Sequence, residues 1–316
     1  LILREHGRGI FISHRAAQRN IAIVFGRSVF EAGVSPVNQF LLHYAEKRSH
    51  IYAENTSFFI NVPQVAVESH GLEVCRDLLD AITAKRLDGI LLISPRGPHE
   101  VEWLSATGIP LVVMSTCPGS ACGVAVDFSE VVRLGMEALI RQKCSRIALL
   151  TMYGHQRNQG YFADLNAYRA ALAQHHLEAR PEWVWDNAPK PPEHTCGLPA
   201  SNELIGYQAG VELLKKSGKL PFDGLLCTDD MALRGFLARM RELGLEPGRN
   251  LKIATQVNRN VPVLLGYDNV ITQIEIDCEA TVNQAFILLD QLMAGEKITS
   301  GTTLLISNNI RELPLN

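Results

Sequence analysis

The chain has 316 residues, 47% hydrophobic and 20% charged, with a formal net charge of −3 at pH 7. That size and apolar content suffice for two lobes with cores of their own. No run approaches the roughly 18 apolar residues of a membrane-spanning helix, and the chain as a whole lacks the basic footprint of a nucleic-acid binder, although a basic reading segment could lie elsewhere. Seven cysteines, at 75, 117, 122, 144, 196, 227 and 278, are scattered without C-x-x-C pairs. Several sit inside apolar runs and read as small core residues in a reducing cytoplasm, not as a disulfide framework or a metal site. The chain begins at Leu1 without a visible signal peptide; the expectation is that its start is missing.

Residues 1–13 read as strand, basic glycine turn and strand, with Gly7 and Gly9 free to take the positive φ of a tight hairpin. Arg4, His6 and Arg8 make the tip basic, and residues 14–20 read as a polar linker. From Ile21 strands and helices alternate. "NIAIVF" is a buried strand, residues 37–50 an amphipathic helix, and residues 50–60 strand-like. Residues 71–87 are predicted to form a helix leading into the strand "DGILLIS". A short helix ends at Gly108 before the strand "IPLVVMS". Residues 121–144 give a strand and then a helix with an acidic start, "SRIALLTMY" a strand, and residues 162–176 another helix. Residues 206–244 form the clearest unit: a helix, the strand Leu225-Leu226-Cys227, the acidic corner Thr228-Asp229-Asp230 and a second helix. The alternation predicts a mostly parallel α/β arrangement with more units than one small lobe holds. Ligands of such sheets bind beyond the carboxyl ends of the strands, where Asp229 and Asp230 stand. Either acid can also cap the following helix, which needs no ligand.

The wing-like segment Gly7-Arg8-Gly9-Ile10-Phe11 resembles the end of a gluconate-repressor-type (GntR) winged helix. Residues 20–312 resemble the lactose/galactose-repressor (LacI/GalR) family through an ordered succession of pieces. They include "DGILLIS", "IPLVVM", "VAVDFSEVVRLGMEALIRQKCSRIALL", "FDGLLCTDDMALRGFLARMRELGLEPGRNLKIA" and "ITQIEID". Together they look like the chimeric arabinose-repressor architecture. The resemblance implies a periplasmic-binding-protein-like fold: two Rossmann-like lobes with parallel sheets and a ligand cleft between them. The expected boundaries are 1–13 for the wing remnant and 14–20 for the linker. The N-terminal lobe would then take 21–126 plus about 259–290, and the C-terminal lobe 127–258 plus about 291–316.

By the same resemblance, Asp127 keeps the acid that opens the helix after the fourth strand. Asp164 stands where the family has a sugar-gripping Arg, and Asp229 where many members place Asn or Asp. Thr255-Gln256-Val257-Asn258 replaces a G-[FY]-D-[ND] strand end. A "GYDN" at 266–269 falls about eleven residues too late and reads as a loop near the connection to the first lobe. The ligand-contacting set expected is Phe25, Arg27, Ser28, Asp127, Tyr153, Asp164, Asp229 and Asn258, with Phe30, Trp183 and Trp185 as further aromatic candidates. Three acids without a matching Arg favour a cationic or strongly hydrogen-bonding ligand; alternatively Asp127 and Asp164 cap or solvate helix starts.

No catalytic or cofactor motif is present: no G-x-S-x-G, H-E-x-x-H, Walker loop or strand-borne G-x-G-x-x-G. No enzyme, metal or cofactor is expected. The favoured reading is a cytoplasmic, ligand-responsive transcription regulator, a repressor by family habit. It would sense a sugar or sugar derivative by cleft closure, work as a homodimer, and bind operator DNA through a winged helix mostly outside this chain, with no membrane partner. The alternative is a solute-binding protein of a transport system, which shares the fold; the free thiols and the wing speak against it.

Overall fold

A computed structural model describes residues 2–5, 9–12, 18–26, 36–52, 54–67, 71–115, 118–152, 159–186, 201–214, 220–311 and 313. In chain order the first elements are β1 (Ile2–Glu5), β2 (Gly9–Ile12), β3 (Asn20–Phe25), α1 (Pro36–Tyr52), β4 (Asn55–Ile60), β5 (Val65–Val67) and β6 (Leu72–Val74). Then come α2 (Arg76–Thr83), β7 (Gly89–Ile93), α3 (Pro98–Ala106), β8 (Leu111–Met114), β9 (Cys122–Val126), α4 (Phe128–Arg141), β10 (Ile147–Leu150) and α5 (Gln159–Gln174). They are followed by β11 (Val184–Trp185), α6 (Asn202–Leu213), β12 (Gly224–Cys227), α7 (Asp230–Glu242) and β13 (Lys252–Asn258). The last are β14 (Thr272–Ile276), α8 (Cys278–Met293), β15 (Thr303–Ile306) and β16 (Asn309–Arg311).

The chain divides into two compact units. One takes Leu1–Val29, Val37–Ala125 and Glu279–Leu304; the other takes Phe30–Pro36, Val126–Cys278 and Leu305–Asn316. The first unit holds a six-stranded sheet in the order β15-β9-β8-β7-β3-β4, parallel through β9-β8-β7-β3-β4. Its central strands β3 and β7 are apolar and buried along nearly their whole length, as strands covered on both faces must be. The second unit holds the sheet β11-β10-β12-β13-β14-β16, parallel except for the final antiparallel pair. Two α/β units with mostly parallel sheets are what the strand-helix alternation predicts.

Two glycines show how tightly the second unit is built. A Cβ on Gly206 of α6 would lie 1.7 Å from the Ala232 carbonyl oxygen of α7, and one on Gly235 would lie 1.8 Å from that of Glu203. The two helices meet backbone to backbone, and this face of the sheet carries the core of Leu225, Cys227, Phe236 and Trp185.

Several expectations change. Residues 71–87 are not one helix: Leu72–Val74 pairs antiparallel with Val65–Val67, and helix begins only at Arg76. The Asn61 side-chain oxygen accepts the Cys75 N–H at 2.8 Å and fixes that start. The helix predicted over 37–50 runs to Tyr52, so the strand after it starts at Asn55. Residues 259–278 belong to the second unit, because β14 continues that sheet beside β13. Residues 279–304 belong to the first, where Leu289 and Met293 of α8 pack on Gly89 of β7. The "GYDN" segment is a turn between two strands of the second sheet, and its Tyr267 packs on the core. The N-terminal strands form an antiparallel hairpin in which Ile2 faces Ile12. Gly7, His6 and Arg8 lie outside the described residues, and of Arg4 only the backbone is described.

Candidate functional site

The polar residues of the second unit gather where β10, β12 and β13 end. Leu150 pairs with Cys227, and Cys227 with Thr255, so the next rank across the three strands is Thr151, Thr228 and Gln256. Alternation along the strands puts this rank on the face of Leu149, Leu226 and Ala254. That face lies under α4, since a Cβ on Gly135 would meet both Leu226 and Ala254. Thr151, Thr228 and Gln256 are all buried.

Asp164, from the second turn of α5, reaches this rank: its Oδ2 accepts the Thr151 hydroxyl at 3.1 Å. The side chain is 0% exposed, and its Oδ1 has no partner among the described residues. Burial pushes the carboxyl up to about 7, against the opposing pull of the Thr151 bond. Thr228 is 4% exposed and its hydroxyl is likewise unpartnered among the described residues.

One residue further along, Asp229 is the N-cap of α7. Its Oδ1 accepts the Ala232 N–H at 2.7 Å and its Oδ2 the Asn202 amide at 3.0 Å. Burial raises it to about 7, helped by neighbouring Asp230 and resisted by those two bonds. Asp230 is raised by burial too, and its Oδ2 accepts the Asn258 N–H at 3.4 Å. Asn258 closes the β13 end and accepts the Cys278 thiol at 3.0 Å. Burial holds the Cys278 thiol up at about 12 and raises Cys227 as well, so both are inert as nucleophiles. Among the described residues no group of three or more His, Cys, Asp or Glu side chains is placed to hold a metal.

The residues singled out from sequence thus separate. Asp164, Asp229 and Asn258 come together at the strand ends of the second unit. Asp127 caps α4, its Oδ1 accepting the Glu130 N–H at 3.0 Å, while its carbonyl accepts the Asn308 amide at 2.9 Å. Capping therefore accounts for Asp127. It does not account for Asp164, which lies inside a helix and is buried. Phe25 ends β3 in the first unit and is buried. Trp183 and Trp185 are buried in the second unit's hydrophobic core, and Trp185 ends β11 level with Leu150 of β10. Arg27, Ser28, Phe30 and Tyr153 lie outside the described residues. A groove at the β11 edge, lined by Pro181, Glu182, Trp185 and Glu212, sits to the side of the sheet and adds nothing to the polar rank.

Sequence reasoning named Thr228 and Gln256 only as parts of longer segments, and missed Thr151 and Asn202. Thr151 had a usable signal, being the first polar residue after the apolar strand "IALL". Asn202 had none, since only folding brings its amide to Asp229. It also missed the polar group at the strand ends of the first unit. There Glu100, 1% exposed, accepts the Arg96 N–H at 2.7 Å and the Asn61 amide, with the Arg96 guanidinium 3.6 Å away.

Residues 136–312 match the family described as periplasmic binding protein-like domain. No curated protein matches the chain by sequence. Among solved structures, a regulatory protein of the LacI family from Chloroflexus aggregans is similar at TM-score 0.72 and 16% identity, over 92% of this chain and 96% of that one. The lac repressor dimer bound to operator and the anti-inducer ONPF is similar at TM-score 0.71 and 16% identity, over 96% and 100%. The transcriptional regulator CelR in complex with cellobiose is similar at TM-score 0.67 and 17% identity, over 93% and 84%. At such identities the likeness speaks to the fold.

Proposed function

The chain belongs to the periplasmic binding protein-like domain family, and from that premise we propose that it is a ligand-responsive transcription regulator, a repressor of the lactose/galactose-repressor kind. The observation that carries this reading is its alignment over the whole length of the lac repressor chain, in a structure that holds operator and an anti-inducer. The CelR complex supports a sugar or sugar derivative as effector. The described cysteines, 75, 122, 144, 227 and 278, are all free and buried. That favours a reducing cytoplasm and a regulator over a secreted carrier.

The effector contacts Asp164, Asp229 and Asn258 at the carboxyl ends of the second sheet; Phe25, Arg27, Ser28, Asp127 and Tyr153 complete the proposed set. Binding favours one of two conformations, closed over the ligand, and shifts the population toward it. The output is a homodimer carrying winged-helix reading heads, with Arg4, His6 and Arg8 at the wing tip. Changing the spacing of the heads changes their match to DNA half-sites. Effector and operator then alter each other's affinity by the same factor, typically between about 5-fold and 150-fold. The test is fluorescence anisotropy of the full gene product on DNA from its own promoter region, with and without sugars that raise its melting temperature. A change of at least fivefold in operator affinity is expected; unchanged affinity would remove the regulator reading.

A further inference from the structure

We propose that the effector carries a protonated amine, seated on Asp164 Oδ1 and Thr228 Oγ1 at the carboxyl ends of β10 and β12. This rests on the reading that a small molecule binds at this strand edge, and narrows that ligand to an amino-bearing polyol such as an amino sugar.

The carboxyl of Asp164 is fully buried and has one polar partner among the described residues, the Thr151 hydroxyl. A buried acid is ordinarily matched by a cation or by several N–H donors. The other buried acids among the described residues obey that rule. Glu54 pairs with Arg48 at 2.9 Å, Glu100 receives the Arg96 N–H at 2.7 Å, and Asp230 receives the Asn258 N–H at 3.4 Å. Asp164 is left with one oxygen that has no partner among the described residues. The Thr228 hydroxyl is independently buried and without a partner among the described residues. The strand register brings it to the same rank and the same face of the sheet as Thr151, the residue that holds Asp164. A free acceptor and a free hydroxyl, both nine-tenths buried or more, describe a place prepared for a donor that the protein does not supply. A neutral hydroxyl would satisfy one hydrogen bond and leave the charge uncompensated; an ammonium satisfies both. The other residue of the rank, Gln256, and the nearby strand-end residue Asn258 are neutral and suited to hydroxyl groups.

The experiment uses the full chain and three matched pairs: glucosamine and glucose, ethanolamine and ethylene glycol, putrescine and 1,4-butanediol. Each is titrated by calorimetry and thermal shift at constant ionic strength. In at least one pair the amine is expected to bind tenfold or more tighter than its neutral partner. Asp164→Asn, checked for folding by circular dichroism, should abolish that preference, and Thr228→Val should weaken amine binding several-fold. Equal binding within the pairs, no binding by any amine, or an amine preference that survives Asp164→Asn would each overturn the proposal. Amine binding that leaves operator affinity unchanged would count against the regulator reading and leave the site standing.

Discussion

Each sheet buries an acid beside its strand ends, and the two acids live under different rules. Glu100 in the first unit is held by the Arg96 N–H, the Asn61 amide and the nearby Arg96 guanidinium. Asn61 in turn accepts the Cys75 N–H, and Arg96 donates to the Glu73 carbonyl at 2.6 Å. The close approach of Gly26 completes the packing, since a Cβ there would lie 2.7 Å from Glu100 Oε2. That network ties together the end of β4, the start of α2 and the loop after β7. Asp164 in the second unit has the same burial but, among the described residues, only Thr151 as a hydrogen-bond partner. A saturated acid is a fastener, whereas an unsaturated one costs stability and is retained for another purpose.

This contrast sets the predictions. Glu100→Ala should cost about 3–5 kcal/mol in urea denaturation, because it strands the Arg96 charge and the Asn61 and Arg96 donors. A loss below about 1 kcal/mol would show that the network is not a fastener.

Asp164→Asn should behave in the opposite way. With its carboxyl raised to about 7 in the fold and near 4 when unfolded, Asp164 keeps its proton longer in the native state. Below pH about 4 both states are protonated and the group has no effect. Between pH about 4 and 7 the unfolded chain releases the proton first, so wild-type stability falls as pH rises, and above about 7 the loss is complete. At about 1.4 kcal/mol per pH unit the loss reaches about 4 kcal/mol at most. The asparagine variant escapes it. Its stability relative to wild type should therefore rise from pH 4.5 to pH 8, and a flat difference would rule out a lone buried acid.

The two capping aspartates sharpen the comparison at smaller scale. Asp127→Ala should cost about 1 kcal/mol at pH 8 through the lost cap of α4. Asp229→Ala loses an equivalent cap but also removes a desolvated acid, so its cost at pH 8 should be the smaller of the two, as chemical denaturation of both variants will show. Smallest of all is Thr228→Val. Because the hydroxyl has no partner among the described residues, the change should fall within about 0.5 kcal/mol of wild type. A larger loss would mean that the hydroxyl is bonded.

The alternation of strands and helices was legible because buried parallel strands are short apolar runs, such as "GILLI" and "GLLC", and the helices between them carry recognisable starts. Asp229 was legible for the same reason, standing directly after such a run. The helix expected over 71–87 failed because Leu72–Val74 is too short to display a period, and its antiparallel partner, Val65–Val67, sets its conformation. The lobe boundary failed because β14 and β13 are joined by hydrogen bonds between segments that local pattern treats as independent.

The sequence by itself determined the fold class and the likeness to the lactose/galactose-repressor family, since both rest on the order of apolar runs and turn residues along the chain. It also named Asp164 as a ligand-contacting candidate, with capping or solvating a helix start as the alternative. Only the tertiary structure decided which acids are satisfied. Asp127 and Asp229 cap helices, Glu100 is held by Arg96 and Asn61, and Asp164 is buried with one oxygen unpartnered among the described residues. The physical reason is that burial and hydrogen-bond satisfaction depend on what α5 is pressed against. Thr151 lies 13 positions from Asp164 in the chain, and Thr228 another 77 beyond Thr151. No local pattern in the chain records their meeting.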